Sequence, residues 1–448
     1  MTRYHARWVL PVATPPVEQG TVVEEEGRIT YVGPRDGAPD GDDVELGESI
    51  LVPGLVNAHC HLELTAMRGL LDGLGFREWI VRLTTARRAV LTDDMLLDAA
   101  RLGVEEGLLA GITTFADTGD SGAGFTAVLD AGVRGICYRE VFGPAASQCD
   151  ESLQALRTKV AEMRSRETAL VRVGVSPHAP YTVSDELFVA TVALARELGA
   201  PMAIHIAESA MESDLVERGE GAFADGLRAR GIPTPIRATS PVALLDRLGV
   251  LDVRPLLIHC VRVHAGDIAR IAQHDCAVAH CPASNAKLGH GVAPLHALLH
   301  ASIRVGIGTD SVASNNRMDL LDEARLAALT ANARERRPDA LSATAAIELA
   351  TLSGARALGL DAEIGSLQPG KAADLAAFAI PDHRHPVLDP AAALLFAIAG
   401  APASFVTVAG RVLVKGGRLQ QGDADLPARV QRAAGLLSAW LGSHYSSA

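Results

Sequence analysis

Lysine is nearly absent from this 448-residue chain: Lys159, Lys287, Lys371 and Lys415 are all it has, and 41 basic residues face 53 acidic ones. The formal charge of −12 leaves no basic footprint of the kind that nucleic acid or an anionic membrane requires. No apolar run is long enough to span a bilayer. The opening stretch from Met1 to Pro11 lacks a sustained apolar segment and a cleavage site, so it reads as a mature cytoplasmic start. The six cysteines (Cys60, Cys137, Cys149, Cys260, Cys276, Cys281) are scattered, which fits reduced thiols in a cytosolic enzyme and not a disulfide framework. Aromatics make up 4%, and no internal repeat, low-complexity tract or flexible linker stands out. What fills the chain is Ala, Leu and Val, within a hydrophobic content of 48%. That is enough for one large α/β barrel with an extra module, or for two to three smaller domains.

Short β-like runs alternate with helical segments between residues 50 and 310, the texture of βα repeats on a parallel sheet. Eight such runs occur: Ile50 to Asn57, Ile112 to Asp117, Arg134 to Phe142, Val171 to Ser176, Met202 to Ala207, Leu256 to Cys260, Ala277 to Cys281 and Arg304 to Thr309. Thr92 to Ala110, Asp150 to Arg166 and Ser184 to Leu198 read as helices between them, and Ser240-Pro241 supplies a cap and a first-turn proline for another. Eight strands with their helices over about 260 residues match a (β/α)8 TIM barrel; periodicity alone also allows a doubly wound open sheet. The first fifty residues differ, with short strands at Thr21 to Val23, Arg28 to Val32 and Val44 to Leu46 between Gly, Pro and Asp turns. Ala373 to Phe378 and Phe405 to Val414 repeat that texture. The expected organisation is a barrel over 53–370, with 1–52 and 371–448 combining into a small β-sandwich that carries an amphipathic C-terminal helix over Pro427 to Leu441.

The ends of four runs carry chemistry. His59 and His61 lie one residue apart at the end of the first, so strand alternation points both imidazoles to the same side, and a pair of imidazoles is half of a metal site. Cys60 and Cys260 then face the other way. The fifth run ends in His205-Ile206-Ala207-Glu208, the sixth in His259-Cys260 and the eighth in Thr309-Asp310-Ser311. Any one of these alone reads as a core histidine or a helix cap. Together they fall where a TIM barrel builds its active site, on the face at the strands' carboxyl ends.

Pro53-Gly54-Leu55-Val56-Asn57-Ala58-His59-Cys60-His61, His205-Ile206-Ala207-Glu208, His259-Cys260, His280 to Leu288 and Gly308-Thr309-Asp310-Ser311 resemble the amidohydrolase superfamily, in its mononuclear-metal deaminase and chlorohydrolase branch. The likeness extends over nearly the whole chain, including Ile364-Gly365-Ser366-Leu367 to Leu375. It implies that His59, His61, His205 and Asp310 are metal ligands, that Glu208 is a proton shuttle, and that His259 orients or helps deprotonate the attacking water. Dinuclear members usually bridge two metals with a carboxylated lysine at the fourth strand's end or with a glutamate nearby, and no lysine lies at that end here. Ser176-Pro177-His178 stands there instead, resembling mononuclear deaminases in which the His reaches the substrate. One divalent ion per chain is expected, Zn²⁺ first and Fe²⁺ as the alternative, because imidazole and carboxylate suit both.

The resemblance implies hydrolysis at a ring carbon bearing an amino group in a purine-like nucleoside. His61-Leu62-Glu63-Leu64-Thr65 looks most like the aminodeoxyfutalosine deaminases of the alternative menaquinone route, whereas adenosylhomocysteine and methylthioadenosine deaminases more often have Pro-Met where Glu63-Leu64 stands. Adenosylhomocysteine, methylthioadenosine or adenosine is the next substrate reading, and guanine, cytosine or chlorotriazine hydrolysis and a silent scaffold are the others. The complete ligand set with Glu208 argues against silence, and the absence of Pro-Cys-x-x-Cys after His-x-Glu disfavours the unrelated cytidine-deaminase fold. Loops at this barrel face set substrate choice. Candidate substrate contacts are Glu63, Trp79 as a stacking platform or lid residue, His178, and Arg139, which could pair with a substrate carboxylate or with Glu140. Barrels of this size often dimerise; no segment marks an interface.

Overall fold

A computed structural model describes residues 1–445. Eight parallel strands lie in two sheets of four. The first sheet holds β1 (Leu55–Cys60), β2 (Ile112–Gly119), β3 (Arg134–Val141) and β4 (Val171–Pro177), in that order. The second holds β5 (Ala203–Ile206), β6 (Leu256–His259), β7 (Ala277–His280) and β8 (Arg304–Ile307). Single parallel bridges connect the edges of the two sheets, Val175 to Met202 at one side and Cys60 to Asp310 at the other.

Helices between the strands begin where side chains satisfy their first free amides. Thr92 accepts from Met95 N–H at 3.3 Å, Ser184 from Leu187 N–H at 3.2 Å and Ser240 from Ala243 N–H at 3.0 Å. Their apolar faces bury a cluster that includes Leu55, Phe115, Ile204, Leu257, Val305, Val104 and Phe188. A second cluster, Val56, Ala58, Ile136, Tyr138, Ala203 and Ile258, takes the alternate strand positions. Cys60 and Cys260 sit in the helix-facing cluster, away from the histidines, as alternation requires.

Both chain ends enter one nine-stranded sheet. Its central pairing is antiparallel between Ser49–Pro53 and Leu375–Ala379, so an early and a late segment are adjacent. Two expectations change here. Ile50 to Asn57 is two strands and not one: Pro53 has no N–H to donate, and Gly54 turns the chain where any Cβ would overlap the Thr113 side chain. Thr2–Val9, left unassigned from sequence, is a strand paired with Val17–Glu25.

The C-terminal helix, Leu426–Tyr445, leaves the sheet with which sequence grouped it. Leu426, Val430, Leu437 and Leu441 share a cluster with Phe76, Trp79 and Leu83, so the helix packs on α1 (Phe76–Val90).

A buried ion pair ties β3 to the nine-stranded sheet: Arg134 Nε lies 3.0 Å from Asp374 Oδ2, with side chains 7% and 2% exposed. Asp374 Oδ1 also accepts the Ala409 N–H at 2.7 Å. Removing one partner leaves an uncompensated buried charge. Asp374→Ala is therefore expected to cost about 3–5 kcal/mol in chemical denaturation, against less than about 0.5 kcal/mol for an exposed control such as Lys159→Ala.

Candidate metal and active site

The carboxyl ends of β1, β5, β6 and β8 bring His59, His61, His205, His259 and Asp310 together. His59 Nε2 and His61 Nε2 lie 3.3 and 3.5 Å from Asp310 Oδ1. His61 Nε2 is 3.2 Å from His205 Nε2, and His259 Nε2 is 4.0 Å from Asp310 Oδ2. Each of the triplets His59/His61/His205 and His59/His259/Asp310 has donor atoms within 4.8 Å of one another. Short-range backbone geometry makes this convergence. His59 carbonyl accepts the Asp310 N–H at 3.0 Å, which fixes β1 against the residue after β8. Ala207, His259, Cys260 and Asp310 all have left-handed backbones, with φ of 51°, 75°, 48° and 56°. For non-glycine residues such values are uncommon and cost energy, and they cluster at functional sites.

Burial shapes the electrostatics. Desolvation, with neighbouring rings adding to it, pushes His61 down to about 3 and His205 well below the usual imidazole range. His59 is lowered by burial too, in spite of Asp310. The imidazoles are thus neutral, with lone pairs free to bind. Burial alone would raise Asp310, but contact with His59 and the surrounding rings outweighs it and holds the carboxylate well below its ordinary value. Ser284 Oγ donates to Asp310 Oδ2 at 2.5 Å, and Ser311 N–H donates to Oδ1 at 2.7 Å.

Glu208 stands beside this group, 3.6 Å from His259 Nε2 and 3.3 Å from His290 Nε2 through Oε1. Burial opposes its ionisation, yet His259 and His290 outweigh burial and keep it below the usual carboxylate range. Glu212 accepts the N–H groups of Ala207 and Glu208 at 2.9 and 2.8 Å, fixing the turn that aims Glu208. Asn285 Oδ1 lies 2.9 Å from His259 Nδ1.

These groups open on a cavity of about 410 Å³, whose walls include His61, His178, His205, Glu208, His259 and Asp310. Glu63 and Trp79 line it as well. His178 offers Nδ1 to Thr182 Oγ1 at 2.8 Å, and burial lowers it to about 4. Arg139 is the exception: Tyr138 joins the strand-interior cluster and Glu140 lines the cavity, so alternation turns Arg139 out of the wall. The arginine that reaches the cavity wall beside Glu63 is Arg87, 2.6 Å from Glu63 Oε1 and paired with Asp120.

His290, Arg87, Asp120 and Tyr181 escaped the sequence reading, and Glu140 entered it only as a partner for Arg139, not as a cavity residue. His290 sits in a loop between two glycines with no strand to give it phase. Arg87 had a partial signal, since it falls eight residues after Trp79 on the same helical face.

A family model for the amidohydrolase family matches residues 50–416. The chain belongs to the amidohydrolase family. It is 34% identical over 428 residues to a 5-methylthioadenosine/S-adenosylhomocysteine deaminase of Moorella thermoacetica, covering 93% of this chain and 95% of that one. An adenosine deaminase from Xanthomonas campestris, solved with bound zinc, matches with a TM-score of 0.87 and 29% identity over 98% of each chain. An aminofutalosine deaminase of Helicobacter pylori, in complex with methylthio-coformycin, has the same fold, with a TM-score of 0.81 at 20% identity over 92% of this chain and 100% of that one. Family and relatives together make this amidohydrolase a metal-dependent hydrolytic deaminase.

The donor set fits a divalent cation. His59 Nδ1 and Nε2 and His205 Nδ1 are buried without hydrogen-bond partners, a costly arrangement for polar atoms. Neutral imidazoles with one carboxylate are what Zn²⁺ or Fe²⁺ takes. Zinc added to chelator-treated protein at 100 times its Kd is expected to stabilise the fold by about 2.7 kcal/mol, read as a rise in Tm. A His59→Ala/His61→Ala double variant should show no such rise, and a zinc-independent Tm in the parent chain would contradict the assignment.

Proposed function

We propose that the chain replaces the exocyclic amine of a 6-aminopurine nucleoside with oxygen from water, releasing ammonia. The observation that carries this reading is the Glu208 carboxylate, held ionised between two imidazoles at the cavity wall beside the His/Asp cluster.

In this reading His59, His61, His205 and Asp310 hold one divalent ion, with zinc preferred on the strength of the zinc-bound Xanthomonas relative. Such an ion supplies Lewis acidity that brings the pKa of a bound water towards about 7. Glu208 takes a proton from the attacking water and delivers it to the ring nitrogen next to the amino-bearing carbon. His259, fixed through Nδ1 by Asn285, orients that water between Glu208 and Asp310. As the C–N bond breaks, the remaining proton of the attacking oxygen passes through the same carboxylate to the amine, which leaves as ammonia and gives the 6-oxo ring. His178 and Trp79 line the substrate's side of the cavity, with Trp79 offering a face for the base and Glu63 an acceptor.

Adenosines modified at the 5′ position are the favoured substrates, because the Moorella relative named for 5-methylthioadenosine and S-adenosylhomocysteine matches 93% of the chain. Aminodeoxyfutalosine is the second reading, and the segment His61-Leu62-Glu63-Leu64-Thr65 favours it. We further infer that the two parallel sheets make one (β/α)8 barrel over 53–370. The bridges at both seams support this. The nine-stranded sheet from 1–52 and 371–425 would then fold around Tyr4, Val22, Leu51 and Phe405 as the accompanying sandwich.

General acid-base help is worth about 10² to 10⁴ in rate. Glu208→Gln should therefore lose ammonia release by that factor while keeping its zinc. Full activity in that variant, or ammonia from guanine or cytosine but from no adenosine derivative, would refute the proposal.

A further inference from the structure

The two ring nitrogens of His205 have different neighbours. Nε2 faces the cluster, 3.2 Å from His61 Nε2. Nδ1 faces Glu140 Oε1 at 4.0 Å, with the two side chains 5% and 7% exposed. Both His205 Nδ1 and Glu140 Oε1 are buried without a hydrogen-bond partner, and native folds leave few polar atoms in that condition. Here two of them face each other, about 1 Å beyond the length of a hydrogen bond.

The backbone holds this pair in place. Glu140 is the next-to-last residue of β3 and shares the inner side of the strand with Tyr138. The Val141 carbonyl accepts the His178 N–H at 3.3 Å, and the His178 carbonyl accepts the His205 N–H at 2.9 Å. The ends of β3 and β5 are thus tied through a single residue. Glu63 and Asp120, two other carboxylates of the cavity wall, are taken by Arg87, whereas Glu140 faces only the imidazole. Burial, then Asp120 and Glu63, push the Glu140 carboxyl well above its usual range in the metal-free chain; positive charge on the far side of the ring acts the other way. An imidazole that lends one nitrogen to a metal ion is fixed in tautomer and angle by the acceptor on its other N–H.

We propose that Glu140 is the positioning residue for the metal ligand His205: its Oε1 accepts the Nδ1–H and so keeps the Nε2 lone pair aimed at the ion. This rests on the ligand set proposed above and is independent of the substrate. Glu140 is not itself a ligand, because it faces the nitrogen turned away from the cluster.

The test is zinc affinity by chelator competition on the full-length protein, read beside the Tm of the metal-free chain. Glu140→Leu fills the space without an acceptor and should weaken zinc by about 10- to 100-fold with the metal-free Tm unchanged. Glu140→Gln keeps an acceptor oxygen and should bind zinc several-fold more tightly than Glu140→Leu. Where Glu140→Leu does not fold, Glu140→Asp carries the test: it keeps the charge but withdraws the acceptor by one methylene, and a loss of about tenfold is expected. X-ray absorption of fully loaded Glu140→Leu should still show three imidazoles and one carboxylate oxygen; a missing oxygen would make Glu140 a ligand and overturn the positioning role. Affinity unchanged in both Glu140→Leu and Glu140→Asp, or no tighter in Glu140→Gln than in Glu140→Leu, overturns it too. A parent chain that binds no zinc removes the ligand set and this role together, whereas a parent that binds zinc tightly whatever stands at position 140 removes the positioning role alone.

Discussion

The site depends on keeping several imidazoles neutral and buried within a few ångströms of one ionised carboxylate. Desolvation penalises charge on His59, His61 and His205, and unpaired ring nitrogens in the interior are expensive. A protein without a cation would gain by hydrogen-bonding or replacing them. A shared divalent ion, as proposed above, would resolve the conflict, since it would use the lone pairs that neutrality leaves free and balance the Asp310 charge.

The scaffold holds this arrangement by strain and by a layer of supporting hydrogen bonds. Four residues at or just past the strand ends adopt left-handed backbones, a cost borne only where the surroundings fix them. Glu212 fixes the turn below Glu208, Ser284 and Ser311 fix Asp310, and Asn285 fixes His259. Glu323 in turn accepts from Ala283 N–H at 3.0 Å and from Asn315. That joins the short helix bearing Ser284 and Asn285 to the one that follows Asp310. Support of this kind commonly decides how well a metal ligand set works.

Much of this was legible in the sequence because two periodicities carry it. Alternation in short strands placed His59 with His61 and sent Cys60 the other way, and the four polar strand ends identified the face. Helix caps at Thr92, Ser184 and Ser240 were readable from single residues. What was not legible lacks a local rule. Gly54 splits one apolar run into two strands because Thr113, some sixty residues later, packs against it. His290 reaches Glu208 from a loop, where no period applies. Arg139 was chosen by residue type, and strand phase turned it away from the cavity; Arg87 reached the wall because α1 lies across it. The C-terminal helix showed its amphipathic face in sequence, but not that α1 would cover it.

X-ray absorption at the zinc edge of the stoichiometrically loaded protein tests the shared-cation site most directly. Three imidazole nitrogens and one carboxylate oxygen at about 2.0–2.2 Å are expected, with the imidazole contribution reduced to two rings in His205→Ala. A shell containing sulfur, or fewer than three imidazoles in the parent chain, would contradict it.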